Sequence, residues 1–299
     1  MKPWAVRARK RINRVSVLAA VRSVQLLSRL MPYRLAVWAG GMLGRLAFLL
    51  LPRERTRAVG HLRAAFPDHS DAWIRRTARN CFIHLGKSML EVMVITPKRL
   101  SRSVTIEGME IVERALERRQ GVVFVTGHIG NWELMGQAVA RRATVSVVAA
   151  PVKPEAVNDI IVGLRARMGV RTILRGRPGS SRELIRVFKE NRILGILIDQ
   201  DTDVESAFVD FMGTPARTPT AAASMAIKFN APLLFGYIQR DRSNRHHVWI
   251  EGPIELVRTG DDEKDIVAST ALLTKKIEET IMKNPEQWVW MHRRWRRQP

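Results

Sequence analysis

The sequence predicts an α/β fold: a single domain with a largely parallel central sheet flanked by helices. Three observations lead to this. Short apolar runs at 122–126, 144–150, 171–174, 193–198, 232–238 and near 246–250 have the length and composition of buried strands. Helical patterns at 109–119, 132–142, 155–168, 180–190, 218–229 and 263–283 alternate with them, as a parallel sheet requires of its crossovers. Polar clusters follow two of the runs, at the strand ends where an open α/β sheet gathers its chemistry.

The elements upstream are mainly helical. Residues 53–66 read as a basic helix stopped by Pro67, and Ser70 with Asp71 offers a cap for a long helix reaching about Ile95. Pro52 divides the chain into an N-terminal membrane-associated helical segment, 1–52, and an α/β domain, 53–299. There is no internal repeat and no Pro/Ser/Gly-rich linker, so the two segments form one functional unit.

Charge points to the partner. Lys and Arg number 50 against 28 Asp and Glu, a net charge of +22. Such an excess implies nucleic acid or an anionic membrane surface. Arg22, Arg29, Arg34 and Arg45 interrupt every candidate for a clean spanning helix. Wound as a helix, however, Arg11, Arg14, Arg22, Gln25 and Arg29 share an arc of about 80°. Val15, Val21, Leu26, Leu27 and Leu30 cover much of the remainder, the pattern of a helix lying in the membrane interface. Leu35 to Leu51 is more hydrophobic still, with Arg45 its only charge. The apolar run before Arg22 is too short for the core of a cleaved signal peptide. An anionic membrane is therefore expected and nucleic acid is not, with a basic nucleic-acid-binding protein as the alternative reading. At the C-terminus Trp288, Trp290 and Trp295 alternate with arginines, a mixture suited to lipid headgroups. The single Cys81 excludes an internal disulfide, and its helical apolar neighbours make it a packing residue.

The most informative segment is His128-Ile129-Gly130-Asn131-Trp132-Glu133, between an apolar strand and a helix. Residues five apart on one helix point about 140° apart, so His128 and Glu133 meet only if the chain turns between them. Gly127 and Gly130 allow that turn, and Asn131 is a good N-cap. Glu133 would then sit in the first helical turn, ionised, holding one imidazole nitrogen so that the other can take a proton. With no nucleophilic side chain beside it, the pair implies direct attack by a substrate hydroxyl under general-base catalysis. Nothing nearby completes a metal ligand set, and no cofactor is expected. The second polar strand end, Asp199-Gln200-Asp201, is consistent with the same cleft, Asp199 either contacting substrate or a basic side chain, or capping the next turn.

The stretch Thr126 to Glu133 resembles the signature of the bacterial lipid A biosynthesis lauroyl/myristoyl acyltransferase family, within the glycerolipid acyltransferases that carry a His-x4-Asp/Glu motif. Four further segments are similar in order and spacing: Ala65-Phe66-Pro67-Asp68, Ile198-Asp199-Gln200, Phe208 to Thr218 and Pro285 to Trp295. The resemblance covers essentially the whole chain. It implies anchoring at the cytoplasmic face of the cell inner membrane. It also implies transfer of a fatty acyl chain from an acyl carrier protein or acyl-CoA thioester to a hydroxyl of a glycolipid acceptor, a lipid A precursor first. A lysophospholipid, a phosphatidylinositol mannoside or an ornithine lipid is the alternative acceptor. His128 and Glu133 are then the expected catalytic pair. Gly130, Asn131, Arg165, Asp199, Gln200 and Thr218 are the expected substrate contacts, with Arg165 the oxyanion donor. Ile129, Ser206 and Met212 depart from the family pattern, which bears on substrate identity and not on the proton relay.

Overall fold

A computed structural model describes residues 31–299. The expected interfacial helix built on Arg11, Arg14, Arg22 and Arg29 lies outside the described residues. Leu35 to Leu51 corresponds to helix α1 (Tyr33–Leu50), followed by α2 (Pro52–Ala65) after a bend of 92°. No single described helix is long and apolar enough to cross a membrane, although this bent pair passes that test jointly. Helix α3 (Asp71–Val94) starts where Ser70 Oγ accepts the Trp73 N–H at 3.3 Å, as the cap pattern predicts. Helix α1 lies against it with almost no spacing. A Cβ on Gly40 would fall 2.4 Å from the Gly86 carbonyl oxygen, and one on Gly44 would fall 2.2 Å from that of Phe82. Small residues four apart thus let the two backbones touch.

The remainder is the predicted alternation. After α4 (Pro97–Ser103) the order is β1 (Val104–Glu107), α5 (Met109–Glu117), β2 (Val122–Thr126), α6 (Trp132–Val139), β3 (Val145–Ala149), α7 (Glu155–Arg167), β4 (Val170–Leu174), α8 (Ser180–Lys189) and β5 (Ile193–Leu197). A hairpin, β6 (Ser206–Phe211) and β7 (Thr214–Pro219), precedes α9 (Ala221–Lys228), β8 (Leu233–Arg240), β9 (His246–Glu251) and α10 (Asp262–Lys283). The seven-stranded sheet has the order β1-β9-β8-β2-β5-β3-β4, and β8–β9 is its one antiparallel pairing. Strand β1 and the hairpin are absent from the expected elements. The hairpin displaces the expected start of the helix at 218, because Thr214 to Pro219 pairs with Ser206 to Phe211 and α9 cannot begin before Ala221.

Period-two burial divides the core. Val123, Val125, Leu194, Ile196 and Phe235 pack on one face of the sheet with α2, α3, α9 and α10. Val122, Phe124, Ile193 and Leu234 pack on the other with α5 and α6. Strands β2 and β5 are buried on both faces, which explains their unbroken apolar runs. Trp288 and Trp290 belong to the first core and are not at a headgroup level. Their indole N–H groups find acceptors inside the protein, Asp199 Oδ2 at 2.7 Å and the Pro285 carbonyl at 2.6 Å, which makes the interior their stable place. Burial pushes the Cys81 thiol up to about 12, consistent with packing.

Candidate active site

Adjacent parallel strands β2 and β5 pair Thr126 with Leu197. Two residues further on, His128 and Asp199 therefore leave the sheet side by side. The His128 backbone N–H donates to Asp199 Oδ2 at 2.7 Å, and His128 Nδ1 meets Asp199 Oδ1 at 2.7 Å. The Trp288 indole donates to the same Oδ2 at 2.7 Å. Asp199 is fully buried, which alone would raise its carboxyl. The His128 imidazole and the hydrogen bonds from His128 and Trp288 outweigh burial and bring it down to about 2. An ionised Asp199 fixes the proton of a neutral imidazole on Nδ1 and leaves Nε2 as the acceptor. Nε2 has no hydrogen-bond partner among the described residues, and the ring is 22 % exposed, with the Trp132 ring edge-on at 4.8 Å between centroids.

This corrects the expected pairing of His128 with Glu133. The turn does form, but the imidazole is drawn across the strand ends to Asp199. Glu133, in the first turn of α6, instead accepts Arg165 Nε at 2.9 Å and Nη2 at 2.5 Å. The Arg165 and Glu133 side chains are only 16 % and 21 % exposed. Arg165 reaches from α7, so the expected oxyanion donor has two of its N–H groups engaged by Glu133, leaving Nη1 outside this fork.

The residues between them form the support. Gly130 has φ +60° and its missing Cβ would sit 1.9 Å from the Ile238 carbonyl oxygen, so only glycine fits. Its N–H donates to the Gln287 carbonyl at 2.8 Å, and Ile129 bridges antiparallel to Trp288. The Gln287 side chain in turn clasps the Arg240 backbone, accepting N–H at 2.8 Å and donating to C=O at 2.8 Å. Asn131 is buried. It caps α6 by accepting the Leu134 N–H at 3.4 Å and donates to Glu91 Oε2 at 2.8 Å. Glu91 is the centre of a buried cluster that also receives Arg240 at 2.7 Å, His246 at 3.0 Å and the Tyr33 hydroxyl. Burial would raise the Glu91 carboxyl, but His246 and Arg240 hold it below the ordinary carboxylate range. Gly130 and Asn131 thus anchor the loop. Thr218 is fully buried, donating to the Ala216 carbonyl at 3.0 Å and accepting from Arg294 at 2.5 Å. Gln200 is half-buried next to Asp199.

Two contributors were not assigned by sequence reasoning: Trp288, and Asp199 in the orienting role. The C-terminal motif and the polar strand end were visible signals, but nothing local indicates that they converge. An apolar cleft lies between α6 and the sheet, lined by Thr126, Trp132, Met135, Gly136, Val147 and Leu197. Among the described residues no group of three or more His, Cys, Asp or Glu could hold a metal ion.

A buried carboxylate orienting an imidazole at parallel strand ends suits general-base chemistry on a hydroxyl, and comparison with known proteins identifies the class. The family model for bacterial lipid A biosynthesis acyltransferase matches residues 8–297, so the chain belongs to that family and is an acyltransferase. It is similar to phosphatidylinositol mannoside acyltransferase of Mycobacterium tuberculosis (strain ATCC 25618 / H37Rv), 25 % identical over 82 % of this chain and 76 % of the relative. Two Escherichia coli (strain K12) relatives are also similar. Lipid A biosynthesis palmitoleoyltransferase is 23 % identical over 90 % of this chain and 87 % of its own. Lipid A biosynthesis lauroyltransferase is 22 % identical over 90 % and 88 %.

Proposed function

We propose that the protein moves a fatty acyl chain from an acyl carrier protein or CoA thioester to a hydroxyl of a membrane glycolipid, a lipid A precursor in the first instance. The observation that carries this is His128 held by a buried, ionised Asp199 with Nε2 unengaged. The acceptor hydroxyl gives its proton to Nε2 as its oxygen attacks the thioester carbonyl, and Asp199 stabilises the imidazolium that forms. The tetrahedral intermediate collapses, the C–S bond breaks, and the imidazolium returns the proton to the departing thiolate. No side-chain nucleophile is needed, so no acyl-enzyme forms. Glu133 fixes the Arg165 fork, whose positive charge serves the oxyanion. The cleft under Trp132 takes the start of the acyl chain.

The cytoplasmic face of the inner membrane is the proposed location. Supporting it are the basic amphipathic N-terminus and a stripe of exposed Leu35, Trp38, Met42, Leu46 and Leu49 along α1. Similarity to the mannoside acyltransferase favours one alternative acceptor, a phosphatidylinositol mannoside. The test offers acyl carrier protein and CoA thioesters of graded length with a panel of lyso-acceptors. His128→Ala should abolish transfer to the accepted lipid, and activity retained in that variant would remove His128 from its role.

A further inference from the structure

The structure carries a second concave site, away from His128. A cleft of about 780 Å³ opens between α1, α3, α4 and the turn joining β8 to β9. Six cations line it: Arg34, Arg45, Lys87, Arg99, Arg102 and Arg245, with no carboxylate in the lining. None of the six forms an ion pair among the described residues. Arg99 lies over the Tyr33 ring, 4.2 Å from its centroid, and its Nε is buried without a hydrogen-bond partner. Burial, and after it the Arg240 guanidinium behind the cleft wall, push the Lys87 ammonium below its ordinary range.

Topology gives the cleft a direction. Strand β8 is parallel to β2, so the β8–β9 turn leaves the same sheet edge as His128. The cleft wall is also wired to the catalytic loop, because the Tyr33 hydroxyl donates to Glu91, which receives Asn131. The apolar stripe Leu35, Trp38, Met42, Leu46 and Leu49 runs on the helix that forms one wall.

We infer that this cleft binds the phosphodiester headgroup of an anionic phospholipid in the bilayer, with the exposed stripe of α1 in the acyl region beside it. Unbalanced arginines favour phosphate, which a guanidinium fork engages through two parallel bonds. The cleft volume lies within the range of small-ligand sites. The chain's own N-terminus does not suit it, since residues 1–30 hold eight Lys and Arg and no Asp or Glu. The site is separate from the acyl-transfer centre, but the inference rests on the membrane association proposed above.

The test measures co-sedimentation of the full chain with phosphatidylcholine vesicles, with and without phosphatidylglycerol. Each basic residue brought to an anionic surface contributes about 1 kcal/mol, or roughly fivefold in binding. The triple variant Lys87→Gln, Arg99→Gln, Arg102→Gln is therefore expected to lose on the order of a hundredfold in binding to the anionic vesicles. Arg118→Gln, Lys189→Gln, Lys228→Gln removes the same charge at the opposite sheet edge and is expected to lose severalfold at most. Gly41→Gln keeps all charges but fills the cleft beside Lys87, and is also expected to bind more weakly than wild type, with unchanged far-UV circular dichroism. Equal losses in the two triple variants, or wild-type binding by Gly41→Gln, would overturn the site while leaving membrane association intact. Failure of wild type to bind either vesicle would instead sink the membrane reading itself. A short single-stranded RNA should not displace the anionic vesicles; displacement that depends on the cleft cations would reassign them to nucleic acid.

Discussion

Replacing Asp199 with Asn separates the observed arrangement from the His-Glu pairing that the motif suggests. The carboxylate accepts three donors at 2.7 Å: the His128 N–H, His128 Nδ1 and the Trp288 indole. Its depression from 3.8 to about 2 corresponds to roughly 2 kcal/mol favouring the ionised carboxyl in the folded chain. Because the folded value lies below the unfolded one, this contribution is present above pH 4 and is lost as pH falls from 4 towards 2. The amide has one acceptor oxygen in place of two, so at least one donor is left facing its NH2 group at a cost of about 1–3 kcal/mol. Asp199→Asn should thus lose a few kcal/mol of stability, seen as a fall in Tm of roughly 5–10 °C. It should also lose the correct imidazole tautomer, which in a comparable triad costs about ten-thousandfold in rate, near 5 kcal/mol. The assay is release of free thiol from the acyl thioester in the presence of acceptor, run below the Tm of the variant. If Asp199→Asn, still folded, keeps more than a tenth of wild-type kcat/KM while Glu133→Gln is inactive, the relay assigned here is wrong.

Three other outcomes are expected. Glu133→Gln and Arg165→Gln should each reduce kcat/KM by about ten- to a hundredfold, and the double variant should be little worse than either, since both break one fork; additive losses in a double-mutant cycle would separate their roles. A Cβ at Gly136 meets nothing within 4 Å, so Gly136→Leu should extend into the apolar cleft. With about 0.8 kcal/mol per buried methylene, excluding two of them should shift preference roughly fifteenfold towards a shorter acyl thioester, read by direct competition between donors. His84 is buried and burial depresses its imidazole to about 3, so the unfolded chain binds a proton that the folded chain refuses. Stability should therefore fall as pH drops from 6.5 towards 3, by up to about 1.4 kcal/mol per pH unit from this residue. Denaturant titrations of wild type and His84→Gln at pH 7 and 5 should differ in this slope.

The parts of this fold that one segment can specify were legible in the sequence. The buried runs of β2 and β5, the Ser70 cap, the turn through Gly130 and the N-cap at Asn131 depend on residues within a few positions of one another. Strand β1 was missed because its four residues alternate between half-buried and exposed at a sheet edge and give no apolar run. The hairpin was missed because Pro215 and Pro219 disguise β7, and its turn uses Met212 at φ +56° ahead of Gly213. The candidate site was legible in its members but not in its wiring. Which carboxylate faces His128 is decided by the β2–β5 register, and a one-dimensional motif contains no register. Trp288 of the C-terminal motif reads as interfacial for a similar reason, since the acceptor of its indole, Asp199, lies 89 positions away in the chain.

The clasp of Trp288 on Asp199 also has a temporal meaning. Asp199 comes 71 positions after His128, and Trp288 a further 89 after that. Closing loops of this length is entropically unfavourable until the core around them has condensed. During synthesis, a sheet with β2 and β5 already paired still lacks the indole donor and the Gln287 clamp on the His128–Asn131 loop. Competence to transfer an acyl group therefore arrives at the end of folding and is first to go on unfolding. Mild denaturant should silence the enzyme while most of its helical signal persists.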